Sequence, residues 1–190
     1  MKVEQIEEST WDIFIRKQPY TFSVQSSLYK KFYERMGEGG VFFGVYDDQN
    51  NLCGGSLCLS VKAKRGSFLY LPYGPILPLN SPSLCSAFFD TVFNYAKKEG
   101  LCAVRISPFV ERKWESYFAS LGFYKSPLHI LAERSVIIDL AKTEEELLQD
   151  MNKNHRNLIR RCQREGVRVI KTSNKTDLND LNSLLTKTSE

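Results

Sequence analysis

No run of apolar residues in this 190-residue chain approaches the roughly 20 needed to cross a bilayer, and the start, Met1-Lys-Val-Glu-Gln-Ile-Glu-Glu8, lacks the apolar stretch of a secretory leader. A cytoplasmic protein without stable membrane insertion is therefore expected. Histidine is nearly missing: His129 and His155 are the only two. Neither accompanies a serine or cysteine of the nucleophile-elbow kind, and no triad can be argued. The five cysteines, Cys53, Cys58, Cys85, Cys102 and Cys162, are scattered through segments that read as strands or apolar helix faces. They are expected to be small buried hydrophobes. With no second cysteine pair and no histidine cluster, no metal site is expected. The chain also lacks a Gly-rich turn between a strand and a helix. Gly37-Glu-Gly-Gly40 resembles a phosphate loop only superficially, because it follows a helix and precedes a strand, the reverse of what anion binding at a helix N-terminus requires. It reads as a helix stop, and dependence on coenzyme A is disfavoured. Low-complexity segments and repeats at periods of 20 to 50 residues are absent too.

What is present is one concentrated charge. Between residues 152 and 171 stand Lys153, Arg156, Arg160, Arg161, Arg164, Arg168 and Lys171 against Glu165 alone, a net +6 in a chain whose total is +4. The remaining residues together are slightly acidic. Charge gathered in this way suits a partner carrying phosphates, a nucleotide or a nucleic acid. A solvated helix face is the alternative, but such a face more often intersperses acids among its bases. At 100° per residue Lys153, Arg156 and Arg160 share one stripe, while Leu148, Met151, Leu158, Ile159 and Cys162 supply apolar contacts elsewhere. Arg156 and Arg160 thus form a fork pair suited to a diphosphate or an RNA backbone. His155, on the same helix, suits either a phosphate or a surface position.

Periodicity and turn chemistry divide the rest. Ser9 and Thr10 open a helix carrying Trp11, Phe14 and Ile15, ended by Gln18-Pro19. A second helix runs from about Ser26 to Met36. Val41–Tyr46 and Leu52–Val61 form a hairpin across Asp47–Asn51, and a third strand covers Ser67–Pro72. Ser81 as cap and Pro82 at the first helical position begin a helix to about Lys98 that Gly100 stops. Leu101–Ile106 reads as a strand, Glu111–Leu121 as an amphipathic helix, and Ser135–Leu140 as a buried strand. His129 lies in a strand-like apolar run and reads as half-buried. The order is ααβββαβαβ, an α/β protein. Beyond it come a capping box at Thr143–Glu146, a helix over Leu147–Glu165 ended by Gly166, a strand over Val167–Lys171, and a last helix capped near Thr176 or Asp177. That helix has no stop signal and no following element to cover Leu181, Leu184 and Leu185. The chain is expected to hold one module over residues 1–141 and the truncated beginning of a second over residues 142–190.

Several segments together resemble the Fem family of peptidoglycan bridge-forming aminoacyltransferases. They are Trp11 with Pro19, Gln25-Ser26 followed by Tyr29, Leu71-Pro-Tyr-Gly-Pro-Ile76, Val104-Arg-Ile-Ser-Pro108, Leu121-Gly-Phe-Tyr124, Val136-Ile-Ile-Asp-Leu140, and above all Met151–Val167. The last is similar to the family's Lys-x-x-Arg-x-x-Ile-Arg helix before a Gly-Val turn. The resemblance implies an acetyltransferase-like (GNAT-like) fold, a mixed and mostly antiparallel sheet flanked by helices, followed by the incomplete start of a second such module. It implies transfer of an amino acid from aminoacyl-tRNA to the stem peptide of a UDP-linked or lipid-linked muramyl pentapeptide precursor, with no cofactor. It places Arg156 and Arg160, with Lys153, at phosphate-binding positions. The family's first-module lysine, which holds precursor phosphates, falls by ungapped count on Tyr33, and Lys31 is its nearest replacement. Tyr73 stands where many relatives carry an arginine before Gly-Pro. Tyr33, Tyr73 and Arg105 are thereby expected to line the substrate cleft, and the catalytic residues to lie mostly in parts of the second module not contained in these 190 residues. The chain alone is expected to show little or no transfer. A non-catalytic RNA- or nucleotide-binding module and an acyl-CoA-dependent N-acyltransferase of the same fold are the alternatives.

Overall fold

Alternation decides how the sheet is dressed. On the second strand Val41, Phe43 and Val45 face one way and Phe42 the other; on the third Cys58 opposes Leu57 and Leu59; on the fourth Leu69 and Leu71 oppose Tyr70. Period-two runs that are apolar on both faces demand a cover on both. The computed structural model, which describes residues 2–20, 22–64, 66–132, 134 and 136–189, supplies it. Elements in chain order are β1 (Lys2–Gln5), α1 (Glu8–Arg16), α2 (Ser27–Arg35), β2 (Gly39–Tyr46), β3 (Leu52–Val61), β4 (Phe68–Leu71), α3 (Pro82–Lys98), β5 (Ala103–Ile106) and α4 (Glu115–Ser120), then α5 (Glu144–Asp150), α6 (Lys153–Arg164) and α7 (Lys175–Ser189), with single 3₁₀ turns at Ser23–Gln25 and Arg112–Trp114. The sheet order is β1-β2-β3-β4-β5, antiparallel except for the parallel β4–β5 pair.

One face packs against α3 and α4, where Leu84, Phe88, Phe89, Val92, Ala96 and Phe118 are buried. The other packs against α1 through Trp11 and Ile15. Gly55 makes the second face possible: a Cβ there would stand 2.8 Å from the Trp11 ring and 2.2 Å from the Phe43 carbonyl oxygen. Asp12 of α1 also accepts from the first residue of α2, with Ser27 N at 3.0 Å and Ser27 Oγ at 2.6 Å, and so locks the two helices together.

The chain divides into two units, Met1–Arg134 and Ser135–Glu190. In the second, the capping box forms as expected: Thr143 Oγ1 accepts from Glu146 N at 3.3 Å while Glu146 Oε2 accepts from Thr143 N at 2.8 Å. No described side chain of this unit is buried.

Several expectations need correction. β1 was not anticipated; its four residues, paired with β2, are too few and too polar to signal a strand. The helix expected from Leu147 to Glu165 is two helices. Met151 is extended, with ψ 151°, and Asn152 caps α6 by accepting from Asn154 N at 2.9 Å. Ser81 takes the N-cap position of α3 but makes no capping hydrogen bond. Ser135, the first residue of the expected Ser135–Leu140 strand, lies outside the described residues; residues 136–140 form no strand, and Val136 and Leu140 are more than 80% exposed (88% and 82%). The expected strand over Val167–Lys171 is likewise absent. Apolar, β-branched sequence favours extension, but a strand exists only where a neighbour takes up its N–H and C=O groups, and among the described residues neither segment has one. Cys102 and Cys162 are exposed, against the burial expected of them, whereas Cys58 and Cys85 are buried. His129 is exposed and outside any strand.

Candidate functional site

The parallel register sets Tyr70 of β4 beside Arg105 of β5, on the sheet face that carries Trp11, Phe42, Leu57 and Leu59. Tyr70 is fully buried, and its hydroxyl lies beside Ser107 without a well-formed hydrogen bond. From α2, Tyr29 and Tyr33 pack onto the same cluster, their ring centroids 5.1 Å apart.

The turn that follows β4 is held by a buried amide. The 3₁₀ turn at Ser23–Gln25 points Gln25 inward, where it is fully buried. Gln25 Oε1 accepts from Leu57 N at 2.8 Å, its Nε2 donates to the Pro72 carbonyl and, at 3.5 Å, to Ser56 Oγ, and its own carbonyl accepts from Trp11 Nε1 at 2.6 Å. Gly74 must be glycine, because a Cβ would stand 2.3 Å from Ser56 Oγ and 2.7 Å from Gln25 Nε2. Ser107 N donates to the carbonyls of Leu71 and Gly74 at 3.3 and 3.2 Å. Between these fixed points Tyr73 adopts φ +45° and sets its ring against Phe22 at 4.7 Å and Phe109 at 6.3 Å. Tyr20 continues this aromatic wall, 5.7 Å from Phe109.

Burial, and then the bond to Tyr33, hold the Tyr29 phenol well above its usual range. Burial pushes Tyr70 up to about 12, with Ser107 opposing. Both phenols therefore stay protonated near neutrality and serve as donors, not bases. With the Arg105 guanidinium and the hydroxyls of Ser107 and Tyr73 they make a group rich in donors, with no carboxylate, imidazole or thiol among its members. Donors of this kind suit an oxygen-rich anion better than a proton relay. Two of its donors are engaged from within the unit: Arg105 donates to the Leu128 carbonyl, and Tyr73 donates to the Ala132 carbonyl at 3.1 Å.

The structure thus brings Tyr33, Tyr73 and Arg105 into one region and adds Tyr29, Tyr70, Ser107 and Gln25. Lys31 is not brought to it. Two residues before Tyr33, it sits about 200° around α2 and pairs with Glu8 at 3.2 Å, beside Lys30, which bridges Glu8 and Glu34 at 2.9 and 2.6 Å. The signals in sequence are a tyrosine inside an apolar strand for Tyr70 and, for Gln25, its place in the Gln25-Ser26 segment that carries the family resemblance.

In the second unit the expected Arg156–Arg160 fork is not formed. Arg156 Nη1 donates to the carbonyls of Gln149 at 2.5 Å, Met151 at 2.6 Å and Leu148 at 3.4 Å, so its charge caps the C-terminal end of α5. Arg160 is exposed and, with Asn157, Arg161 and Arg164, borders a shallow open depression along α6. Lys153 is exposed at the first position of α6. Arg161 pairs with Glu165 at 2.7 Å. Among the described residues no group of three or more histidine, cysteine or acidic side chains could hold a metal ion, and no helix is long and apolar enough to cross a membrane.

Comparison with known proteins gives a family and a fold. The model of the FemAB family matches residues 6–116, more than half of the chain. The crystal structure of FemX superposes with a TM-score of 0.72 at 19% identity, covering 98% of this chain and 49% of that one. The chain therefore spans about half the length of FemX. Glucosamine-6-phosphate N-acetyltransferase from Arabidopsis thaliana is similar at a TM-score of 0.49 and 10% identity, over 69% of this chain and 96% of that one. Aminoglycoside 6'-N-acetyltransferase from Acinetobacter haemolyticus is similar at 0.47 and 13%, over 72% and 100%. No curated protein matches. The five-stranded, mostly antiparallel sheet flanked by helices is the acetyltransferase-like fold that was anticipated.

Proposed function

The chain belongs to the FemAB family, and on that premise we propose that it carries the first module, and the beginning of the second, of a peptidoglycan bridge-forming aminoacyltransferase. The reaction moves an amino acid from aminoacyl-tRNA to an amine on the stem peptide of a muramyl pentapeptide precursor, UDP-linked or lipid-linked, in the cytoplasm. The aminoacyl ester is already activated, so the protein needs to place the amine against it and stabilise the developing oxyanion; no cofactor enters. In this reading Arg105, Tyr33 and Tyr73 bind precursor phosphates, and Lys153 and Arg160 on α6 meet phosphates of the tRNA or the precursor. Arg156 acts through the cap it places on α5.

One observation carries the reading: the stretch matched by the family model, residues 6–116, supplies every side chain of the donor-rich group, whose chemistry suits an anion. Binding with little or no turnover is the expectation for the 190-residue chain. The test is calorimetric titration with UDP-N-acetylmuramyl-pentapeptide, alongside transfer of labelled amino acid from charged tRNA. Binding that Arg105→Ala abolishes, with little transfer, is expected. Binding of tRNA with no precursor binding at any salt concentration would leave only a nucleic-acid-binding module.

A further inference from the structure

Residues 121–132 contain no helix and no strand, yet the last part of this segment is fixed at three points, all on the donor-rich group or the cluster beneath it. Arg105 donates to the Leu128 carbonyl. Tyr73 donates to the Ala132 carbonyl. Between them Leu131, half-buried, packs against the cluster that holds Trp11, Phe42 and Tyr70. The start of the segment packs on the opposite face through Leu121 and Phe123, whereas Leu128 is 70% and Ile130 46% exposed. A local turn supports the segment, in which Ser126 Oγ donates to the Leu128 carbonyl at 3.0 Å and accepts from Leu128 N at 3.3 Å.

The arrangement is a poor use of strong donors. A guanidinium and a phenol are spent on neutral carbonyl oxygens, whereas an anionic oxygen would make bonds about twice as strong. Underneath, the Tyr70 hydroxyl stays buried without a partner, a defect that favours any state in which an acceptor reaches it. The single Tyr73 proton cannot serve the Ala132 carbonyl and an anion together, and the Leu128 carbonyl occupies one edge of the Arg105 guanidinium. An anion therefore discriminates between the covered and uncovered states, which is the one condition under which a ligand moves such an equilibrium.

We propose that Ser126–Ala132 is a strap that competes with the precursor for the donor-rich group: the phosphates take Arg105 and Tyr73 from the Leu128 and Ala132 carbonyls, and the segment lifts. The proposal rests on the precursor reading above and adds a gate to it. Weakening the strap raises the uncovered fraction and tightens apparent binding in proportion.

The experiment follows amide hydrogen exchange of residues 126–132 in the full chain, with and without saturating UDP-N-acetylmuramyl-pentapeptide, and compares precursor affinity in the wild type and in Leu131→Ser. Exchange across the strap is expected to rise about fivefold on binding, and Leu131→Ser to bind about fivefold more tightly. Should Leu131→Ser fail to fold, the wild-type exchange measurement decides alone. Binding with unchanged or slowed exchange at 126–132 overturns the strap and leaves the precursor reading intact. Absence of binding to either protein overturns both.

Discussion

Tyr70 and Arg105 are direct neighbours across the parallel β4–β5 pair, so a buried hydroxyl without a hydrogen-bond partner lies beside a guanidinium. An unsatisfied buried hydroxyl is a cost to the fold. Tyr70→Phe is expected to raise the unfolding free energy in urea by about 1 kcal/mol, since it removes an unsatisfied buried group and little packing. The same change is expected to weaken precursor binding. A stability loss on Tyr70→Phe would show that the hydroxyl is well paired.

Titration gives a second expectation for the same residue. Its folded pKa is pushed up to about 12, first by burial, above the value near 10 of a free phenol. A raised value means that the neutral form is favoured on folding. The associated stability is fully present below about pH 10 and is lost as pH rises toward about 12. Urea midpoints measured between those values should fall in the wild type and fall less in Tyr70→Phe. Equal slopes would place the phenol in water.

Gln25 is expected to be the most sensitive polar residue of the first unit. Gln25→Leu keeps much of the volume but leaves Leu57 N–H and the Pro72 carbonyl, both now bonded to its amide, without partners in the interior. A loss of about 3 kcal/mol is expected, read as a lower urea midpoint at unchanged slope. Because the amide fixes the turn that presents Tyr73, the residual folded protein should also bind the precursor less tightly. A change below about 0.5 kcal/mol would be that of a surface position.

The first unit was largely legible because its signals are local. Period-two alternation in Val41–Tyr46, the turn at Asp47–Asn51, and Pro82 and Gly100 around α3 each act within a few residues, and each element formed close to its expected bounds. What was not legible depends on partners distant in sequence. Lys2–Gln5 is a strand only because β2 offers an edge, and Val136–Leu140 is none because no described neighbour does. The candidate site divides the same way. Resemblance singles out Tyr33, Tyr73 and Arg105, while Tyr70 and Gln25 join them through strand register and through a bond spanning 47 residues of sequence. Lys31 lies apart from Tyr33 and pairs with Glu8, since two steps along a helix turn a side chain to the far side.

That far side carries its own prediction. The Lys30 hydrogen bond, and then that of Lys31 after the opposing cost of burial, hold the Glu8 carboxyl below its usual value of 4.5. A lowered folded pKa gives stability that is present above the unfolded value and lost as pH falls through the folded one. Acid unfolding should therefore gain a component below pH 4.5 that Glu8→Gln removes. The pairs are partly exposed, so the component should stay below about 1 kcal/mol and shrink in high salt.

Arg156 and Arg160, one turn apart on α6, should give opposite readouts. The Arg156 guanidinium gathers the carbonyls of Leu148, Gln149 and Met151, groups that α5 leaves unpaired where the chain bends into Asn152. Arg156→Ala should fray that end, at a cost of about 1 kcal/mol, and lower the helical circular dichroism. Arg160 holds no such position. Arg160→Ala should leave the helices intact, weaken tRNA binding, and reduce the slope of log affinity against log salt by about 1, the signature of one phosphate contact. If Arg156→Ala instead lowered that slope with helicity unchanged, its contacts to α5 would be incidental, and both guanidinium groups would face the nucleic acid as a pair.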